Sequence, residues 1–199
     1  MFTTDSITRS WRRWVKLRQT CAWLVACVVL ALIPAVACAQ SAIITNAKLD
    51  VTEDGCQLNA DIDLQLTAGM QEAIRKGVPL YFIAEFQLTR GRWYWLDQRV
   101  ISATRDRRIA YAPLTDQYRI AFSGISQNVS SFEDVRRVLS RIRSWTVAEK
   151  GQLKPGEKYE AALRFRLDTS QLPKPFQLNV ITSKEWSLSS EWYRWSVTP

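Results

Sequence analysis

The stretch Cys56–Leu66, which reads CQLNADIDLQL, alternates apolar and polar residues along its whole length. Strict alternation is typical of a β-strand with one face in a core and the other in water. The segment before it, Ala42–Val51, is followed by Asp54-Gly55, a pair that favours a tight hairpin. The sequence therefore predicts two neighbouring antiparallel strands here.

Similar signals continue to the C-terminus. Further strands are predicted over segments that alternate in polarity or are rich in aromatic and β-branched residues. These segments are Leu80–Thr89, Arg92–Ala103, Arg108–Ala112, Tyr118–Phe122, Tyr159–Leu167 and Gln177–Thr182, with a last segment that contains Trp186, Trp192 and Trp195.

Two helices interrupt the predicted strands. Met70–Lys76 is a short helix that ends at Gly77. A second helix begins after Ser130 or Ser131. Apolar residues recur three or four positions apart at Phe132, Val135, Leu139 and Ile142, which is a helical spacing. Arg141 and Arg143 lie in the last predicted turn, where basic residues are favoured. The predicted fold is mainly β: an antiparallel β-sandwich, with an immunoglobulin-like form as one option and one or two short inserted helices. A helix packed on a single sheet is the open alternative.

The N-terminal segment has the parts of a secretory signal peptide. The basic stretch Arg12–Arg18 precedes the uncharged apolar run Cys21–Ala37, and residues 37–39 (ACA) fit cleavage between Ala39 and Gln40. We predict a signal peptide over residues 1–39 and one domain over residues 40–199, periplasmic or secreted. The alternatives are acylation of Cys38 and an uncleaved anchor. We expect contact with the membrane only in these two cases.

The net charge of +8 does not indicate nucleic-acid binding. Five of the 27 basic and one of the 19 acidic residues precede Gln40, which leaves +4 for the rest of the chain. A modest excess spread over mixed-sign sequence differs from the concentrated basic face of a nucleic-acid-binding protein.

Several classes of enzyme are excluded by composition. The chain has no histidine, so Ser-His-Asp, Cys-His and histidine-metal sites cannot form. Of the four cysteines, only Cys56 follows the predicted signal peptide, which excludes an internal disulfide in the mature domain and a cysteine-rich zinc site. We predict no cofactor and no metal.

Aromatic and arginine residues mark a candidate interaction surface that could stack on a sugar ring or hold an anionic partner. Its members are Arg92, Trp93, Trp95, Arg99, Trp192 and Trp195. The competing interpretation is that these aromatic residues belong to the core. Four arginines of the second helix, Arg136, Arg137, Arg141 and Arg143, could likewise attract an acidic partner or simply form a solvated face.

Several segments resemble a family of exported proteobacterial proteins, the DUF4390 family. They are residues 77–82 (GVPLYF), 92–95 (RWYW), 118–119 (YR), 138–141 (VLSR), 153–156 (LKPG) and 167–176 (LDTSQLPKPF). The resemblance spans about the whole mature chain and implies a secreted or periplasmic accessory protein, often encoded near a membrane sensor kinase. It brings no known activity and no site residues.

These observations favour a non-catalytic binding or interaction protein of the bacterial envelope, with an envelope protein as partner and with a role accessory to a membrane sensor as one option. Two alternatives stay open. The first is an envelope enzyme that acts on a glycan through two carboxylates. The second is a membrane-anchored structural protein.

Overall fold

The predicted hairpin opens the folded part of the chain. In the computed structural model, β1 (Ala42–Thr52) and β2 (Gly55–Leu64) pair antiparallel, with Leu49 opposite Leu58. The structure describes residues 42–53, 55–91, 98–174, 176 and 186–199. The predicted strand Gln177–Thr182 lies outside these ranges.

Gly55 is required where β2 begins. Its φ of +134° is a conformation that L-residues avoid, and an added Cβ would collide with the carbonyl oxygen of Ala148. This close approach exists because β7 (Arg141–Glu149) pairs with β2, opposing Gly55 with Glu149. The small sheet therefore has the order β1-β2-β7.

The second sheet has six strands in the order β6-β5-β4-β3-β8-β9, and every neighbouring pair is antiparallel. The strands are β3 (Leu80–Arg90), β4 (Gln98–Ala112), β5 (Gln117–Phe122), β6 (Ile125–Val129), β8 (Tyr159–Leu167) and β9 (Tyr193–Val197). Strands β3 to β6 follow one another as hairpins, whereas β8 and β9 join on the other side of β3.

The core lies between the two sheets. Alternate residues of β2, β3 and β8 are buried, and the rings of Phe82 and Phe165 stack with their centroids 5.7 Å apart. Cys56, the free cysteine among the described residues, is buried here, and burial raises the pKa of its thiol. The period-two pattern therefore marks the core-facing positions on these strands.

Two short helices connect the strands. α1 (Ala68–Arg75) follows β2, and the Thr67 hydroxyl accepts a hydrogen bond from its first turn. α2 (Phe132–Leu139) follows β6 and is capped by Ser131, whose hydroxyl accepts from the amide of Asp134 at 3.1 Å. In the part of the chain that the structure describes, no helix is long and apolar enough to cross a membrane.

The predicted antiparallel sandwich with two short helices is confirmed. The strand order differs from that of an immunoglobulin domain, because β3 to β6 are consecutive in one sheet instead of alternating between two.

Three local predictions were wrong. Residues 98–112 form one continuous strand, β4, whereas separate strands at 92–103 and 108–112 were predicted. The second helix ends at Leu139, so Ile142, Arg141 and Arg143 belong to β7 and not to a helix face. Strand β6 was not predicted, because its side chains are nearly all exposed and show no alternation.

Candidate functional site

The inner face of β4 carries two arginines where a core strand normally carries apolar residues. Ile101 and Ile109 are buried on this face, and the alternation of the strand places Arg105 and Arg107 on it as well. Arg107 is only 4% exposed. Because arginine is almost never fully buried without a partner, this part of β4 is a candidate functional site.

Arg105 and Arg107 line a pocket of about 270 Å³. Its lining residues come from β4, the end of β5, α2 and the start of β7. They are Arg105, Arg107, Phe122, Arg137, Val138, Arg141 and Arg143, which together form the arginine pocket. None of these side chains has a hydrogen-bond acceptor, so the side chains of the lining offer only donors, positive charge and apolar surface.

Arg107 ties β4 to the C-terminal end of α2. Its Nη1 donates to the carbonyl oxygens of Val138 at 2.8 Å and Leu139 at 3.0 Å, and its Nη2 donates to that of Arg141 at 2.7 Å. Its buried Nε has no hydrogen-bond partner among the described residues. Burial, and after it repulsion from Arg105, lowers the pKa of Arg107 to about 10. The side chain therefore clamps β4 to α2 and β7, and no carboxylate among the described residues pairs with its charge.

Arg105 is held by aromatic rings, a hydroxyl group and the carbonyl oxygen of Arg143, to which its Nη1 donates at 3.5 Å. Its guanidinium carbon lies 5.9 Å from the ring centroid of Phe122 and 6.0 Å from that of Trp145, and its Nε donates to Ser123 Oγ at 3.0 Å. Burial lowers the pKa of Arg105. Within the described residues neither Arg105 nor Arg107 forms an ion pair, so the two positive charges share one face of β4 without a counter-ion.

The other three arginines differ in how they are paired. Arg137 pairs with Asp134 at 2.8 Å, and Arg143 pairs with Asp61. Arg141 is exposed and has no ion pair within the described parts of the chain. Among the described residues, the five arginines of the pocket are thus paired with only two carboxylates. The excess positive charge of the pocket favours an anionic ligand.

The comparison with protein families agrees with the resemblance seen in the sequence. A model described as "Domain of unknown function (DUF4390)" matches residues 39–196. The chain belongs to the DUF4390 family. Neither the curated proteins nor the solved structures contain a match to it. The family description gives no activity, so the geometry of this DUF4390 domain carries the functional argument.

The predicted interaction residues are only partly visible in the DUF4390 domain. Arg92, Trp93 and Trp95 lie outside the described residues. Arg99 is exposed near the start of β4, and it does not line the arginine pocket.

Trp192 and Trp195 lie on opposite faces of the large sheet. The Trp192 ring stacks on the guanidinium of Arg164, 4.7 Å from its centroid, and Arg164 in turn pairs with Glu85 on the outer face. Trp195 stands opposite buried Ala161 in the register and packs against Phe86, with ring centroids 6.2 Å apart. They do not form one patch, and an interaction role for either residue stays a prediction.

The outer face of the large sheet has a second pocket, of about 290 Å³, with two carboxylates in its lining, Asp106 and Asp168. Asp168 caps the following 3₁₀ turn, because its Oδ1 accepts from the Ser170 amide at 3.1 Å and the Ser170 hydroxyl at 2.6 Å. In the register Asp106 stands opposite Ile83 on β3, and Asp168 lies beyond β3 on the side of β8. Two strand spacings place their backbones about 10 Å apart, near the upper end of the carboxylate separation in inverting glycosidases, and the glycosidase alternative stays a prediction.

The sequence interpretation missed Arg105 and Arg107, although a signal for them exists. With two strands predicted at 92–103 and 108–112, residues 104–107 become an exposed connection. Charged side chains are ordinary in such a connection, so Arg105 and Arg107 do not stand out. A continuous strand from Ile101 to Ile109 places both arginines on the apolar face, a conflict between pattern and burial that is typical of functional positions.

Proposed function

We propose that the DUF4390 domain is an exported, non-catalytic binding protein of the bacterial envelope, and that it holds an anionic group of its ligand or partner in the arginine pocket. The observation that carries this proposal is the charge of Arg107, which is buried, and of Arg105, which is half-buried, on a core-facing strand, with no ion pair to either among the described residues. Burying charge without an opposite partner costs stability, and an anion bound in the pocket would offset that cost.

Aromatic contacts support a binding role for Arg105. The ring of Phe122 lies within 6 Å of both guanidinium carbons, at 5.9 Å from that of Arg105 and 5.8 Å from that of Arg107. Rings in this position use none of the N–H donors of a guanidinium group, and among the described residues Arg105 Nη2 has no protein acceptor, so it can serve a ligand. The pocket is therefore suited to recognition, and its side chains include no nucleophile and no general base.

The envelope location is part of the proposal and rests on the N-terminal sequence. The basic stretch, the apolar run and the residues Ala37–Ala39 have the order of a secretory signal. A ligand of this protein would then be an envelope molecule, either an acidic segment of an envelope protein or a small anion. A role accessory to a membrane sensor is compatible with such a ligand.

Titration calorimetry with the full chain tests the proposal, using sulfate, phosphate, citrate and acetate as probes. The test variant is Arg141→Gln, because Arg141 is exposed and its side chain takes no part in the clamp formed by Arg107. The matched control is Arg119→Gln, which removes the same charge from an exposed position of β5. Loss of a charged hydrogen bond of about 1.5 to 3 kcal/mol predicts at least tenfold weaker binding for Arg141→Gln.

Comparing variants separates pocket binding from general salt effects. Sulfate and phosphate stabilise many proteins because they are excluded from the surface, and such an effect does not depend on one arginine. The proposal requires wild type and Arg119→Gln to bind at least one of the anions alike and Arg141→Gln to bind it more weakly. Equal binding by all three proteins, or binding by none, would refute it.

A further inference from the structure

The lining of the arginine pocket says more about its ligand than the sign of its charge. All its polar side chains are arginines, which donate hydrogen bonds and accept none. Backbone carbonyl oxygens beside the pocket also accept from its arginines: those of Val138, Leu139 and Arg141 accept from Arg107, and that of Arg143 accepts from Arg105 at 3.5 Å. An anion that carries a proton would therefore have no side-chain acceptor for its O–H in this lining, and an unmade hydrogen bond would weaken its binding about 5- to 150-fold.

The donors also outnumber the oxygens of a carboxylate. Arg105 and Arg107 approach from β4, and Arg141 approaches from β7. One bidentate arginine is enough to satisfy the two oxygens of a carboxylate. Three guanidinium groups on two elements fit an anion with oxygens in several directions.

The size of the pocket indicates that the anion belongs to a larger molecule. A volume of about 270 Å³ corresponds to roughly nine water molecules at about 30 Å³ each. An oxyanion of five heavy atoms fills only part of that space. The remaining walls, Phe122 and Val138, are apolar and suit the carbon atoms next to the anionic group.

We infer that the arginine pocket binds a tetrahedral oxyanion that carries no proton, the fully ionised phosphate or sulfate group of an ester. This inference rests on the proposed function and narrows its ligand to one chemical class. It distinguishes the pocket from sites that include an acceptor for a protonated phosphate.

The inference predicts a dependence on pH that comes from the ligand. The charged groups around the pocket are the arginines of its lining, the carboxylates Asp134 and Asp61 that pair with two of them, and the neighbouring pair Glu133 and Arg136. Arginine stays charged up to about pH 8, and this includes Arg107 with its pKa of about 10. A phosphate monoester takes up its second proton near pH 6, so about nine tenths of it is singly charged at about pH 5.

Calorimetry with glycerol phosphate, sulfate and acetate at about pH 5 and about pH 8 tests the inference. The proteins are the full chain, its Arg141→Gln variant and the Arg119→Gln control, with circular dichroism to confirm folding. We expect glycerol phosphate to bind about tenfold more weakly at the lower pH, and sulfate, which has no proton to gain, to bind equally at both. Acetate should bind at least tenfold more weakly than sulfate.

The outcomes separate this inference from the proposed function. Acetate binding as tightly as sulfate, or glycerol phosphate binding equally at both pH values, would overturn the inference while anion binding in the pocket stands. If none of the probes distinguishes Arg141→Gln from the control, both ideas fail. Should Arg141→Gln not fold, Arg105→Gln takes its place in the same design.

Two sources of the oxyanion are separated by a vesicle arm. Phosphatidylglycerol carries a phosphodiester without a proton, so vesicles with and without this lipid are floated with the full chain and with Arg141→Gln. Arg141-dependent flotation identifies a lipid head group as the source. Sulfate and glycerol phosphate binding without such flotation identifies a soluble ester.

Discussion

Replacing Arg105 by methionine should have opposite effects on stability with and without a bound anion. Arg105 and Arg107 leave the same face of β4 two residues apart, so their charges lie about 7 Å apart and repel by about 2 kcal/mol at an effective dielectric constant of about 20. Arg105→Met removes this repulsion and keeps a flexible side chain whose sulfur can contact the rings of Phe122 and Trp145. It loses the hydrogen bond to Ser123 and the long one of 3.5 Å to the Arg143 carbonyl, which together contribute about 1 kcal/mol.

The balance makes the variant more stable by about 1 kcal/mol in an anion-poor zwitterionic buffer, which corresponds to a rise of about 3 °C in Tm. At saturating sulfate the wild type gains an arginine–anion hydrogen bond of about 1.5 to 3 kcal/mol that the variant lacks, so the order reverses by about 1 kcal/mol.

Thermal and urea unfolding of both proteins across a sulfate series measures this reversal. Arg119→Met, on the exposed face of β5, serves as the control, and its stability should stay parallel to that of the wild type. A variant that is less stable than the wild type in the anion-poor buffer, or curves that never cross, would refute the reasoning that the pocket stores unpaired charge.

Three further predictions concern the fold and the N-terminus. Gly55→Ala should lower the free energy of unfolding, measured in urea, by about 3 kcal/mol or more, because a positive φ and a collision with the backbone of β7 combine. Gly156→Ala, which has a positive φ but open space around it, should lower it by only about 1 to 2 kcal/mol. Equal losses in the two variants would contradict the collision at Gly55. Burial raises the pKa of Glu85, but hydrogen bonds from Arg164 and Arg166 on β8 outweigh burial and hold the pKa of Glu85 below its ordinary value of 4.5. The stability that the ionised carboxylate provides is therefore complete above about pH 4.5 and is lost as the pH falls through the lowered pKa. In urea unfolding, Glu85→Gln should be less stable than wild type at neutral pH and equally stable in acid. A difference in stability that stays constant with pH would show that the ion pairs are not its cause. Intact-mass analysis of the exported protein should give a chain that begins at Gln40, and a retained or lipid-modified N-terminus would contradict cleavage there.

Local signals predicted the parts of the fold that local physics determines. The β1–β2 hairpin follows from alternation and from a turn with Gly55, and α2 begins where Ser131 caps it. The end of α2 could not be read in this way, because Ile142 fits both a helical spacing from Leu139 and a buried strand position. Pairing with Ala60 of β2 decides for the strand, and that partner is distant in sequence.

The contacts that bury the two arginines of the candidate site were beyond the sequence for the same reason. Arg107 can be buried because three carbonyl oxygens from the end of α2 and the start of β7 receive its donors. The partial burial of Arg105 depends on the ring of Trp145, which belongs to the other sheet. Neither neighbour can be identified from residues 98–112 alone, so a charged stretch there reads as a surface connection.

The strand order also sets the sequence in which the molecule can assemble. Strands β3 to β6 pair as hairpins between neighbours in sequence. By contrast, β2 pairs with β7 and β3 pairs with β8 across long stretches of chain: Arg143 contacts Ala60, 83 positions away, and Arg164 contacts Glu85, 79 positions away. Local hairpins close early because short loops cost little entropy, and distant pairings follow them. The arginine pocket draws on both classes, since β4 and β5 belong to the hairpin series and Arg141 and Arg143 arrive with β7. Arg105 and Arg107 already share β4, and the charges of Arg141 and Arg143 join them only when β7 completes the small sheet, so an anion present at that moment would favour this step.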